Sequence, residues 1–288
     1  LTLALFAVLA SPAPVGAATI TVSNTNDSGA GSLRAAILQA NANAGPDTIR
    51  FDIPGCGGVC TIHALSPLPI LTDDATTIDG YSQPSAAPAT AGSTAIIRVE
   101  INGAAAGASG IGLTITSAQN EIRGLAITHF GWDAIAIGTT DAISNVVAGN
   151  YLGVDPTGSA AGNGHSGVFI GMGGHRNIIG GERPADRNVL SGNAWSGAEL
   201  HGALTQLNLL AGNYIGTNPA GDAGVPNILF GVRIYGAAAG NSVAVKNIIS
   251  GNGRHGVAIV GENTDHNTIQ DNVIGLAADG LAALGTAE

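Results

Sequence analysis

Three stretches share one phrase: GNYLGVDPTG at Gly149–Gly158, GNYIGTNPAG at Gly212–Gly221 and DNVIGLAADG at Asp271–Gly280. A second phrase recurs between them, NVLSGN at Asn188–Asn193 and NIISGN at Asn247–Asn252. Asn188 to Asn247, Asn193 to Asn252 and Asn208 to Asn267 are each 59 residues apart, and Asn150 to Asn213 is 63. Self-similarity at a fixed period of this size marks an architecture of stacked repeats. Each period holds two copies of Gly-apolar-x-apolar: GVFI (167–170), GAEL (197–200), GVRI (231–234) and GVAI (256–259), preceded by GLTI (112–115) and AIAI (134–137). The unit is therefore one coil of roughly 25 to 34 residues with loop insertions of varying length.

Strands of three to five residues cannot form an independent sheet, and no two-residue Asn-Gly hairpin joins them. Stacking coil upon coil pairs each strand with its own copy about 4.8 Å away and buries Val and Ile in one column. The repeated Asn150, Asn193, Asn213, Asn252 and Asn272 sit at turns, beside Gly or Asp. They are expected to form a ladder in which each amide bonds the equivalent Asn one coil along. The fold predicted is all-β, a right-handed parallel β-helix.

Residues 19 to 100 read as an N-terminal cap and first coils, and 101 to 288 as the β-helix repeats. In the first segment Ser32 is placed to cap a short amphipathic helix with Leu33, Ile37 and Ala40 on one face, stopped by Gly45-Pro46. Such a helix can cover the open core of a solenoid's first coil. Residues 1 to 18 read as a truncated signal peptide: the apolar run LTLALFAVLA, then Pro and small residues, with cleavage expected after Ala17 or Ala18. Asp271 to Glu288 copies the start of a repeat, and the chain is expected to continue into further coils.

Composition narrows the function. Asp and Glu number 20 against 10 Lys and Arg, with no polybasic tract, which argues against a nucleic-acid partner. No segment has the roughly 20 apolar residues of a membrane helix. Cys56 and Cys60, with export to an oxidising compartment, read as a local disulfide; two thiols without a second pair do not make a metal site.

The N-terminal segment resembles the CSLREA-type family of bacterial β-helix surface proteins in Ser32-Leu33-Arg34, Ile37, Asn41, Asp47-Thr48-Ile49, Phe51, Leu68-Pro69-Ile70 and Thr77-Ile78-Asp79-Gly80. Gly31 replaces that family's Cys, and Ala35 its Glu. The likeness implies a secreted or cell-surface β-helix and no particular chemistry. The repeat region resembles the pectin-lyase-like superfold, which hosts lyases, hydrolases, adhesins and inert stalks, so fold alone selects no activity.

Catalytic signatures of that superfold are missing. Asp73-Asp74 precedes the repeats, Asn263-Thr264-Asp265 comes after Arg233 and no Gly-His-Gly occurs, so the order needed by a polygalacturonase-like hydrolase is absent. A lyase-like Ca²⁺ site needs clustered carboxylates, which the strands lack, so no cofactor is expected. In each Gly-apolar-x-apolar strand the x position faces out. One outward column is thus Thr114, Ala136, Phe169, Glu199, Arg233 and Ala258, and the next is Thr116, Gly138, Gly171, His201, Tyr235 and Val260. In the turn just before each strand lie Trp132-Asp133, His165, Trp195, Phe230 and His255. Two readings follow. Glu199 and Arg233 form a cross-strand ion pair and the aromatics cover coil edges; or Trp132, Phe169, Trp195, Glu199, His201, Arg233 and Tyr235 make a saccharide-binding strip. Catalysis would fall to Glu199, His201 or Arg233, as in a lyase or hydrolase acting on an extended, uronate-type polysaccharide. The expectation preferred is a secreted or surface β-helix with a structural, adhesive or glycan-binding role.

Overall fold

The computed structural model describes residues 16–285. Most of the signal-peptide reading, residues 1–15, lies outside them. Three all-parallel sheets of nine, eight and six strands wind as a parallel β-helix. One coil runs Val146–Ala148 in the first sheet, Tyr151–Leu152 in the second and Val168–Gly171 in the third, then re-enters the first sheet at Ile178–Gly180. Every strand pairs with its copy in the neighbouring coil.

The interior consists of columns of like residues. In the first sheet Ile20, Ile49, Ile78, Ile122, Val147, Ile179, Leu210 and Val243 lie in register, each buried. In the third, Ile115, Ile137, Ile170, Leu200 and Ile234 do the same. Each such side chain contributes about 1.5–3 kcal/mol by leaving water, so the stack is held mainly by its core. Helix Leu33–Ala42 starts at Ser32, whose side chain accepts from the Ala35 N–H, and buries Leu33, Ala36, Ile37 and Ala40. Those residues join the same core cluster as Ile20, Val22 and Ile49. Cys56 and Cys60 are disulfide-bonded, with Cα atoms 5.1 Å apart.

The asparagines form three ladders rather than one, one at each corner. Asn120, Asn145, Asn177, Asn208, Asn241 and Asn267 bond Nδ2 to Oδ1 in succession. Asn150, Asn188, Asn213, Asn247 and Asn272 form the second, and Asn163, Asn193, Asn227 and Asn252 the third. The five asparagines singled out from the sequence divide between the second and third ladders. Steps along the ladders are 25 to 38 residues, wider than the sequence estimate because the Asn150–Asn188 coil carries extra loop.

Nor does asparagine take the left-handed conformation at these turns. The residue before it does: Ser144 (φ 58°), Arg176 (57°), Leu207 (58°) and His266 (55°) in the first ladder, Gly149 and Gly212 in the second. Asparagine is used for its amide, and the strain falls on its neighbour. A side chain in this region costs about 1–2 kcal/mol, partly offset by the extra freedom glycine has when unfolded. Leu207 is half-exposed, so Leu207→Gly is expected to raise stability by about 0.5–1 kcal/mol in urea denaturation; a destabilised variant would contradict this account.

The two-coil period has a physical cause. Outward residues of the second sheet, Tyr151, Val189, Tyr214 and Ile248, stack in register and are buried. Loops cover them, contributing Val154 and Val225, together with Ala89, Ala95 and Ile97 of a strap. The loops recur on alternate coils with the same bridges, Val154 to Ala160, Thr217 to Gly224 and Leu276 to Ala283. They stack on one another: the Cα of Gly158 abuts Pro219, and that of Gly221 abuts Ala278 and the Tyr214 ring, leaving no room for a Cβ. Each loop touches the next one, two coils along, so one loop fills the height of two coils, about 4.8 Å each, and the intervening coil needs only a short turn.

Candidate functional site on the third sheet

The third sheet carries strands Leu113–Ile115, Ile135–Gly138, Val168–Gly171, Ser196–His201, Phe230–Tyr235 and His255–Val260. Its registers pair Thr114, Ala136, Phe169, Glu199, Arg233 and Ala258 in one outward column. Gly138 pairs with Gly171, His201 with Tyr235, and Tyr235 with Val260. The first sequence-derived column therefore holds throughout, and the second holds over these pairs. Phe230 and His255, expected in turns, belong to six-residue strands, in register with Ser196.

The contacts within the columns differ from the simplest expectation. Among the described residues no ion pair joins Glu199 to Arg233. Glu199 is fully buried; its Oε1 accepts from Ser196 Oγ at 2.8 Å and its Oε2 from Tyr235 Oη at 3.1 Å. Burial and the Glu199 charge push the Tyr235 hydroxyl up to about 12, so it stays a donor. Arg233 lies over Tyr235, its Cζ 3.9 Å from the ring centre, and also near Phe230; its Nε is covered and unpartnered. The reason is geometric: cation–π contact with Tyr235 and Phe230 of its own strand competes for the guanidinium, while the carboxylate, covered by neighbours, needs donors of its own. His201 packs against Tyr235, centroids 4.3 Å apart, and Phe169 at 6.3 Å.

At the strand starts the sequence located the residues without showing their association. The imidazole of His165 lies between the two tryptophans, 4.5 Å from Trp132 and 5.6 Å from Trp195, nearly parallel to the first at 6°. Its Nδ1 is 2.8 Å from Asp133 Oδ1, which also accepts the Ser166 N–H. Asp133 is buried and His165 mostly covered. In the neutral ring Nδ1 therefore carries the proton, leaving Nε2 as the titrating nitrogen. Burial opposes charge on His165, yet the Asp133 hydrogen bond and the charges of Asp133 and Glu199 outweigh it and hold the ring above its ordinary value. This dyad, with Ser196, was missed. The signal lay in Trp132-Asp133 and His165 at equivalent places in neighbouring coils.

The stack also changes what the tryptophans can do. One face of each indole is taken by the His165 ring, so a sugar is left the opposite face or the edge. Trp132 is 46% exposed and Trp195 37%. Among the described residues no three His, Cys, Asp or Glu side chains converge as metal ligands. No helix among them is long and apolar enough to cross a membrane.

No protein-family model matches the chain, and no curated protein is significantly similar to it. The reading of the site therefore rests on its geometry.

Proposed function

We propose that this chain is a secreted or cell-surface β-helix of the CSLREA-like kind that binds an extended glycan along the third sheet. The observation that supports this best is the line of Trp132, His165 and Trp195 over three successive coils, beside the unpaired guanidinium of Arg233. Aromatic surface next to hydrogen-bonding groups suits a sugar, whose faces are apolar and whose rim is hydroxylated. An axial ligand would meet one coil every 4.8 Å or so, so affinity would accumulate with chain length. Phe169, His201 and Tyr235 supply the inner contacts. Glu199 acts through Tyr235 and Ser196 by holding them in place.

Both tryptophans of the chain sit in this strip, so binding should perturb intrinsic fluorescence directly. Titrating a panel of neutral and acidic polysaccharides is expected to find one that shifts the emission. Trp195→Ala should weaken that binding by about 1–3 kcal/mol, the loss expected of a stacking contact. Silence across the panel would leave a structural role only.

The Asp133–His165 dyad supports a second reading, an enzyme of the lyase or hydrolase class, because an oriented imidazole can move a proton. Release of unsaturated product absorbing near the ultraviolet edge, or of reducing ends, lost in His165→Gln, would establish that reading over simple binding.

A further inference from the structure

A different part of the molecule holds a hollow that neither reading uses. Over the second sheet, the strap turn Thr90–Thr94 meets two of the stacked loops. Two adjoining hollows of about 270 and 240 Å³ result, sharing Thr94, Pro219 and Ala220. Taken as one groove they reach the size of a small-molecule site, roughly 300 Å³ upwards. Hydroxyls of Thr90, Ser93, Thr157 and Ser159 and the ring of Tyr214 line it.

Among the described residues Arg187 is the one charged side chain in that lining. Its guanidinium carbon lies 4.1 Å from the centre of the Tyr214 ring. Its Nε is covered without an acceptor, and among the described residues no carboxylate comes within 4.0 Å of it. The nearby acids are committed elsewhere. Asp186 pairs with Arg183, Asp155 accepts from Thr157 and Ser159 in its own turn, and Asp222 accepts from Asn218. A protein of net charge −10 has thus left one cation unpaired in a hydroxyl-rich groove.

We propose that this groove is a second ligand site, for a small polyhydroxylated molecule carrying one oxyanion, either a carboxylate or a sulfate or phosphate ester. Stacking on Tyr214 holds the guanidinium plane in place, so little side-chain freedom is lost on capture. A planar fork of N–H donors matches an oxyanion, which a neutral sugar does not offer.

Calorimetric titration of the whole chain with galactose, galacturonate and galactose 6-sulfate tests the assignment. At least one of the anionic sugars should bind, tenfold or more tighter than galactose, and which of the two is preferred separates carboxylate from sulfate ester. Inorganic sulfate should compete. Arg187→Gln should reduce binding to the level of galactose, and Ala220→Leu, at the exposed junction of the hollows, should weaken it with Arg187 intact. Trp195→Ala should leave it unchanged, which separates this site from the third-sheet strip. Equal affinity for galactose, no binding of any probe, or full affinity in either Arg187→Gln or Ala220→Leu would overturn it.

Discussion

Asn177→Ala is expected to destabilise the β-helix by about 3–5 kcal/mol, a loss at the upper end for single substitutions. Asn177 Oδ1 accepts both the backbone N–H and the Nδ2–H of Asn145, at 2.9 and 3.0 Å, in a site from which water is excluded. Alanine leaves the Asn145 backbone N–H and one of its two amide hydrogens unpartnered, the other staying on Ser117 O, at about 1–3 kcal/mol each. The other bonds of Asn177 matter less. Ala142 O keeps a bond from the His175 N–H, and Asn208 Oδ1 keeps the Asn177 backbone N–H. Asn267, the last rung among the described residues, accepts the same two donors from Asn241, but it is only half-buried and water can replace its oxygen, so its alanine variant should cost about 1 kcal/mol. Urea denaturation of the two variants gives the comparison. Equal small losses would mean that the ladders decorate a structure held by its aliphatic columns alone.

The second large effect concerns pH. Protonated imidazole quenches an adjacent indole by accepting charge from its excited state, and His165 touches both tryptophans of the chain. Emission is therefore expected to fall steeply on acidification, with a midpoint above the ordinary histidine value of 6.5, because Asp133 and Glu199 outweigh the burial that opposes the charge. His165→Gln should abolish the transition, and Asp133→Asn should move it to lower pH. The sign for stability follows from the same inequality. A histidine whose folded value is raised contributes stability that is fully present below the unfolded value and lost as pH rises through the folded one. The deficit of His165→Gln against the natural chain should thus be greatest in acid and shrink above neutrality. A wild-type midpoint at or below 6.5, or a transition surviving in His165→Gln, would contradict the dyad.

These two cases show how far local sequence reaches. Which outward residues share a column, such as Phe169, Glu199 and Arg233, was legible because strand alternation has a period of two and each coil copies the last. The helix after Ser32 was legible for the same kind of reason, since capping and one apolar face are local properties. The partners within a column were not. Sequence placed opposite charges side by side at Glu199 and Arg233, yet the guanidinium settled on Tyr235 and the carboxylate on Ser196 and Tyr235.

By itself, then, the sequence determined a stacked parallel architecture, its inward columns and its outward registers, because repetition and alternation are written residue by residue. Only the tertiary structure decided the division of asparagines among three corners, the stacking of loops that sets a two-coil period, and the joining of Asp133 to His165 between two indoles. Those depend on loop lengths that vary from coil to coil and on competition among polar groups for the same covered space, and neither is expressed in the identity of any single residue.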